Sequence, residues 1–120
     1  MIEINTGGKN SDVTIVSFGS ASISGISDID QISDQMRQFI TDNKPGKMVI
    51  DFADVRFFSS QLLGLLVDVW RRLKDYDGRL LICGINPHLN RVFKITNLDR
   101  IFEFYPDRAG AIEALDSKNE

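Results

Sequence analysis

An α/β domain built on a mostly parallel sheet is the fold class that the order of apolar segments predicts. Short runs rich in β-branched residues alternate with longer stretches whose apolar residues recur at helical spacing. Strands separated by helices need crossover connections, and these set neighbouring strands parallel. The segment at residues 79–85 is apolar almost throughout, as expected of a strand covered on both faces. Together these patterns predict a mixed sheet of about five strands with about four α-helices packed against it.

The elements follow in order along the chain. Residues 1–10 are polar, and predict a short edge strand ending in a turn at Gly7-Gly8. Residues 12–18 alternate with β-branched side chains and predict a strand. Residues 19–25 are rich in Ser and Gly and read as a loop. Ile29, Ile32, Met36, Phe39 and Ile40 then mark a helix to about residue 42, with Ser27 and Asp28 as candidate caps. Pro45-Gly46 forces a turn before a strand at 47–53. A short link, 54–59, leads into a long helix whose stripe is Leu62, Leu66, Trp70 and Leu73, widened by Leu63, Val67 and Val69. Asp77-Gly78 closes that helix ahead of the 79–85 strand. Asn86 and Pro87 open another helix, where proline at the first position loses nothing. Residues 101–105 predict the last strand and 107–115 a short final helix; the outermost strands are free to run antiparallel.

A chain of 120 residues fits one domain, here with a core spanning about residues 10–115, and is long enough to fold without metals or disulfides as staples. The net charge of −3, with basic residues scattered, speaks against a nucleic-acid binder, which needs a basic stripe to neutralise phosphates. Cys83, the only cysteine, lies in an apolar run and reads as a small buried hydrophobe. No signal peptide or membrane-length apolar run is visible, so a cytoplasmic protein is expected.

Enzymatic chemistry finds little support. His88 is the only histidine, and no partners lie at metal-ligand or triad spacing. The glycines do not form a phosphate cradle. Asp51 and Asp54 invite comparison with a phospho-aspartate receiver, but that fold wants an acidic pair after its first strand and a lysine after its last. Residues 19–22 are Gly-Ser-Ala-Ser, and no lysine follows 101–105 before Lys118. No enzyme, cofactor or metal is therefore expected.

The informative stretch is 55–66. Ser59 and Ser60 stand where a strand hands over to a helix. There the unpaired N–H groups and the positive end of the helix dipole gather, beyond the carboxyl end of a strand. One serine is expected to cap the helix, and a serine here also suits phosphorylation. Of the adjacent Phe57 and Phe58, at least one is expected to be exposed, while Trp70 reads as core.

An apolar strand ending in Asp51, a short link, then Ser59-Ser60-Gln61-Leu62-Leu63-Gly64 opening a helix resembles the STAS domains of anti-sigma factor antagonists. The resemblance extends through Asp77-Gly78, the strand after it, and the segment from Val92 to Phe102, over about residues 10–115. It implies a protein-binding module that engages an anti-sigma factor acting as a serine-protein kinase, and that is switched off when a serine at the start of the second helix is phosphorylated. The matching serine is Ser60, with Ser59 a second candidate. The implied docking surface is 19–25 with 57–64, in particular Ser20, Ser22, Phe57, Phe58, Ser59, Ser60, Gln61, Leu63 and Gly64. A weak homodimer is compatible with this reading. The family usually carries acids where this chain has Ser22 and Ser59, and Ser-Gly where it has Gln61-Leu62. The alternative is a constitutive, non-phosphorylated STAS adapter or scaffold subunit in a signalling complex.

Overall fold

The computed structural model describes residues 2–19, 22–23 and 25–117. Five strands form one sheet in the order β1-β2-β4-β6-β7: β1 (Ile2–Gly7), β2 (Val13–Phe18), β4 (Lys47–Asp51), β6 (Arg79–Cys83) and β7 (Glu103–Tyr105). β1 runs antiparallel to β2, and the remaining pairs are parallel. β3 (Ser22–Ile23) and β5 (Phe57–Phe58) make a separate two-stranded parallel sheet. Among the described residues four helices appear: α1 (Ile26–Asn43), α2 (Ser60–Lys74), α3 (Pro87–Ile95) and α4 (Arg108–Ser117). The expected mixed sheet and helices are therefore present, with β1 the antiparallel edge.

The period-2 alternation of the strands divides the core. Val16, Phe18, Met48, Ile50, Leu80 and Ile82 point to one face and pack with α1, α2 and α3. Val13, Ile15, Val49, Leu81 and Cys83 point to the other and pack with Ala111 and Leu115 of α4. α2 lays Leu62, Leu66, Val69 and Leu73 into the first core, and Leu63 and Leu65 are buried with them. Trp70 packs half-buried against this core, with the Lys74 ammonium 5.9 Å from its ring centroid.

Three local expectations give way. α1 begins at Ile26 behind Gly25, so Asp28 stands in the first turn, where its charge suits the helix dipole, and neither Ser27 nor Asp28 is the cap. The strands predicted over 47–53, 79–85 and 101–105 end or begin two residues short, because Phe52, Gly84 and Phe102 already belong to the connections. The Ser/Gly-rich stretch 19–25 is not loop throughout: Ser22 and Ile23 pair with Phe57 and Phe58.

The carboxyl ends of the parallel strands are pinned. Asp51, 8% exposed, accepts from the Ala53 backbone N–H and from Arg108 Nε, each at 2.9 Å, tying β4 to α4. Gly84 has φ +73°, and a Cβ there would lie 2.9 Å from Ala53 N and from Asp51 Oδ1. Gly64 differs: it lies inside α2, and a Cβ there would meet nothing within 4 Å. Gly84→Ala should therefore lower stability by about 2 kcal/mol or more through strain and backbone collision. Gly64→Ala should raise it by about 0.5–1 kcal/mol through helix propensity alone. Urea midpoints of the two variants check both signs.

Candidate functional site at the mouth of α2

The link between β4 and α2 is held from below. Asn86 caps α3, its Oδ1 accepting from Leu89 N at 2.8 Å, while its Nδ2 donates to the Arg56 carbonyl at 3.0 Å. Val55 is buried. Phe58 then points inward, its ring 5.6 Å from Phe52 and 5.9 Å from Phe93. Phe52 stacks in turn on Phe18 at 5.2 Å, and Phe93 meets Phe104 edge-on at 5.1 Å. Alternation along β5 consequently turns Phe57 outward, where it is 50% exposed.

The β3–β5 pairing joins the two segments expected to form a docking surface. Ser22 sits opposite Phe57 and Ile23 opposite Phe58, and the Ser59 N–H donates to the Ile23 carbonyl at 2.9 Å. Ser22, Phe57, Phe58, Ser59, Ser60 and Gln61 are thus brought together at one end of the molecule. Ser20 lies outside the described residues. Leu63 does not belong to this surface: it faces the core and is 5% exposed, because the apolar stripe of α2 must be buried. Gly64 is exposed one turn further along.

The two serines differ. Ser59 occupies the N-cap position with extended backbone (φ −80°, ψ 161°), and its carbonyl accepts from Leu62 N at 3.0 Å. Its side chain does not cap: the hydroxyl is buried, with no hydrogen-bond partner among the described residues. Ser60 is the first residue of α2 and is exposed, and no acid occupies that first turn. Positive charge at the far end of the helix, on Arg71, Arg72 and Lys74, complements the opposite pole.

Other chemistry-bearing residues are engaged elsewhere. Asp51 is spent on Ala53 and Arg108, as above. Burial, then the neighbouring Asp51 charge, pushes the Cys83 thiol up to about 12. His88 is exposed at the start of α3. Among the described residues, no group of three or more His, Cys, Asp or Glu is placed to hold a metal ion, and no helix is long and apolar enough to cross a membrane. The alternating orientation at 57–58 was within reach of the sequence; the pairing with Ser22 and Ile23 carries too few residues to leave a pattern.

Comparison with known proteins places this geometry. The STAS domain model matches residues 9–111, and the chain belongs to that family. A Thermotoga neapolitana protein classed among the anti-sigma factor antagonists is 29% identical over 72 residues, covering 60% of this chain and 64% of that protein. The anti-sigma F factor antagonist of Paenibacillus polymyxa is 22% identical over 87 residues, covering 72% of this chain and 74% of its own length. The solved anti-sigma-factor antagonist (STAS) domain protein of Planctomyces limnophilus superposes with a TM-score of 0.80 at 26% identity, over 92% of this chain and 96% of that one.

Two outcomes test the site's local physics. Ser59→Ala should be neutral or stabilising by about 1 kcal/mol, since it removes a buried hydroxyl that has no partner. A capping serine would instead lose about 1 kcal/mol on the same change. Thermal or urea unfolding decides between them. Cys83 should resist a thiol reagent at pH 8 in the folded protein and react fully in denaturant, as absorbance with a chromogenic disulfide reports.

Proposed function

We propose that this protein is an anti-sigma factor antagonist: a cytoplasmic, non-enzymatic module that binds an anti-sigma factor with serine-kinase activity and is released when Ser60 is phosphorylated. The observation that carries this reading is the contrast at the mouth of α2. Ser60 is exposed on a rigid helix start, while the hydroxyl of Ser59 is closed off beneath it. This contrast supports Ser60 over Ser59 as the acceptor. The relatives classed as anti-sigma factor antagonists support the partner class.

The energetics fit a switch. A phosphate on Ser60 would bring nearly two negative charges to a helix N-terminus that partly offsets them, so the modified protein stays folded. The same charges, placed beside the half-exposed Phe57 ring, would oppose desolvation of that ring against a partner. The surface thus changes its affinity without changing its fold.

A second reading, a constitutive STAS adapter that is never phosphorylated, draws on Ser22 and Ser59, which stand where the family usually has acids. Phosphopeptide mapping over residues 57–71 in protein from growing and stressed native cells separates the two readings. Condition-dependent phosphate on Ser60 supports the switch, and its absence from a well-covered peptide supports the adapter. With a partner kinase in hand, Ser60→Asp should weaken binding about tenfold or more, and Ser60→Ala should leave it unchanged. Calorimetric Kd values for both variants check this, and equal values would refute the switch.

A further inference from the structure

Beside the mouth of α2 a cleft of about 320 Å³ opens between the first turns of α1 and α2. Its floor is apolar, formed by Ile29 and Leu65, both nearly buried. Its rim carries Asp30 and Asp34 from α1 and Asp68 from α2, facing a single guanidinium, Arg37. Asp68 is already matched, accepting from Arg37 Nε at 3.2 Å and Arg72 Nε at 3.1 Å. Asp30 and Asp34 have no ion-pair partner among the described residues.

Two independent features single this cleft out from an ordinary solvated acidic face. Ser33, between the two unpaired acids, is 9% exposed and lines the cleft, and among the described residues its hydroxyl makes no hydrogen bond. Among the described residues only the Ser59 hydroxyl and Arg79 Nη1 are fully buried without a partner, so the Ser33 hydroxyl reaches the open cleft and is free to pair with a docked group. Gly64 also lines the cleft inside a helix, where glycine is disfavoured and where a Cβ would meet nothing within 4 Å. Bare backbone there leaves room for another chain to lie close.

We propose that this cleft is a docking groove for a cationic helix of the protein partner. An arginine of that helix would reach Asp30 and Asp34 and bring a donor to Ser33, while the helix body crosses Gly64 over Ile29 and Leu65. Carboxylates favour the planar, multidentate guanidinium over a point charge. The acids are not clustered closely enough to hold a bare metal ion. Gln61 links the groove to the helix mouth, so the two form one continuous surface. This assignment rests on the reading that the mouth of α2 binds a partner, and it names the chemistry of that partner.

The test uses the full chain and a synthetic amphipathic helical peptide carrying two arginines four residues apart beside two leucines. In amide NMR titrations, shifts should concentrate at Asp30, Ser33, Asp34, Gly64 and Leu65. Affinity should fall about tenfold in the Asp30→Asn/Asp34→Asn double variant and with rising salt. Gly64→Leu should block the peptide while unfolding at no lower temperature than wild type. Shifts spread evenly over other exposed acids such as Asp42, Asp75 and Asp99, or equal binding by the double variant, would overturn the groove. Asp75→Asn, at an exposed acid beyond the far end of α2, should bind the peptide as wild type does. A failed switch would show as missing phosphate with peptide binding intact. A failed groove would show as peptide binding indifferent to its residues, with Ser60→Asp still releasing the kinase.

Discussion

Phe58 ties the mouth of α2 to the core, and the rest of the site depends on that tie. Its ring sits between Phe52 and Phe93, in a row of aromatic contacts that crosses the carboxyl end of the sheet from Phe18 to Phe104. Pulling Phe58 into solvent would forfeit burial and ring contacts together, so β5 has a single orientation. Once it is set, Phe57 must point outward, the Ser59 N–H meets Ile23, and the helix starts with Ser60 in the open. A two-residue strand is too weak to impose this by its own hydrogen bonds; the aromatic anchor beneath it supplies the constraint.

The sheet and its helices were legible because each is written over many residues. The stripes at 29–40 and 62–73 and the apolar run at 79–85 repeat their signal several times, so local exceptions do not blur them. The geometry of the candidate site was legible only in part. Its location followed from a strand-to-helix transition rich in serine, a sequence feature. The pairing of Ser22 and Ile23 with Phe57 and Phe58 joins residues more than thirty positions apart through two rungs, and no periodicity reports it. Leu63 was read both into the widened apolar stripe of the helix and, through the family resemblance, into the docking surface; its burial sides with the stripe. The start of α1 went to Ser27 and Asp28 on side-chain preference, whereas extended backbone at Gly25 sets it.

Electrostatics divide the surface around Ser60 unevenly. At the helix mouth itself Ser22, Ser59, Ser60 and Gln61 are uncharged, and no acid stands in the first turn of α2. The carboxylates lie to one side, on α1, where Asp30 and Asp34 face the cleft. A charge placed on Ser60 would be the dominant local field, undiluted by acidic neighbours on its own turn. A cationic group held by α1 would sit a turn or more away and keep its partners whether or not Ser60 is modified. Attraction and release can thus be carried by different residues of one surface.

Three departures from good folding practice fall in this same stretch, while Ile95, 72% exposed, and the buried, unpartnered Arg79 Nη1 lie elsewhere. Phe57 is left half-exposed, the Ser59 hydroxyl is buried without a partner, and Gly64 interrupts a helix in which a larger residue would fit. The glycine and the unpartnered hydroxyl each oppose stability, by about 0.5–3 kcal/mol where such effects have been measured. They lie within eight residues of one another, on a helix whose other face is well packed. Conflicts of this kind are tolerated mainly where something beyond folding is served. The clustering at 57–64, more than any single residue, is the physical reason to look there for the partner.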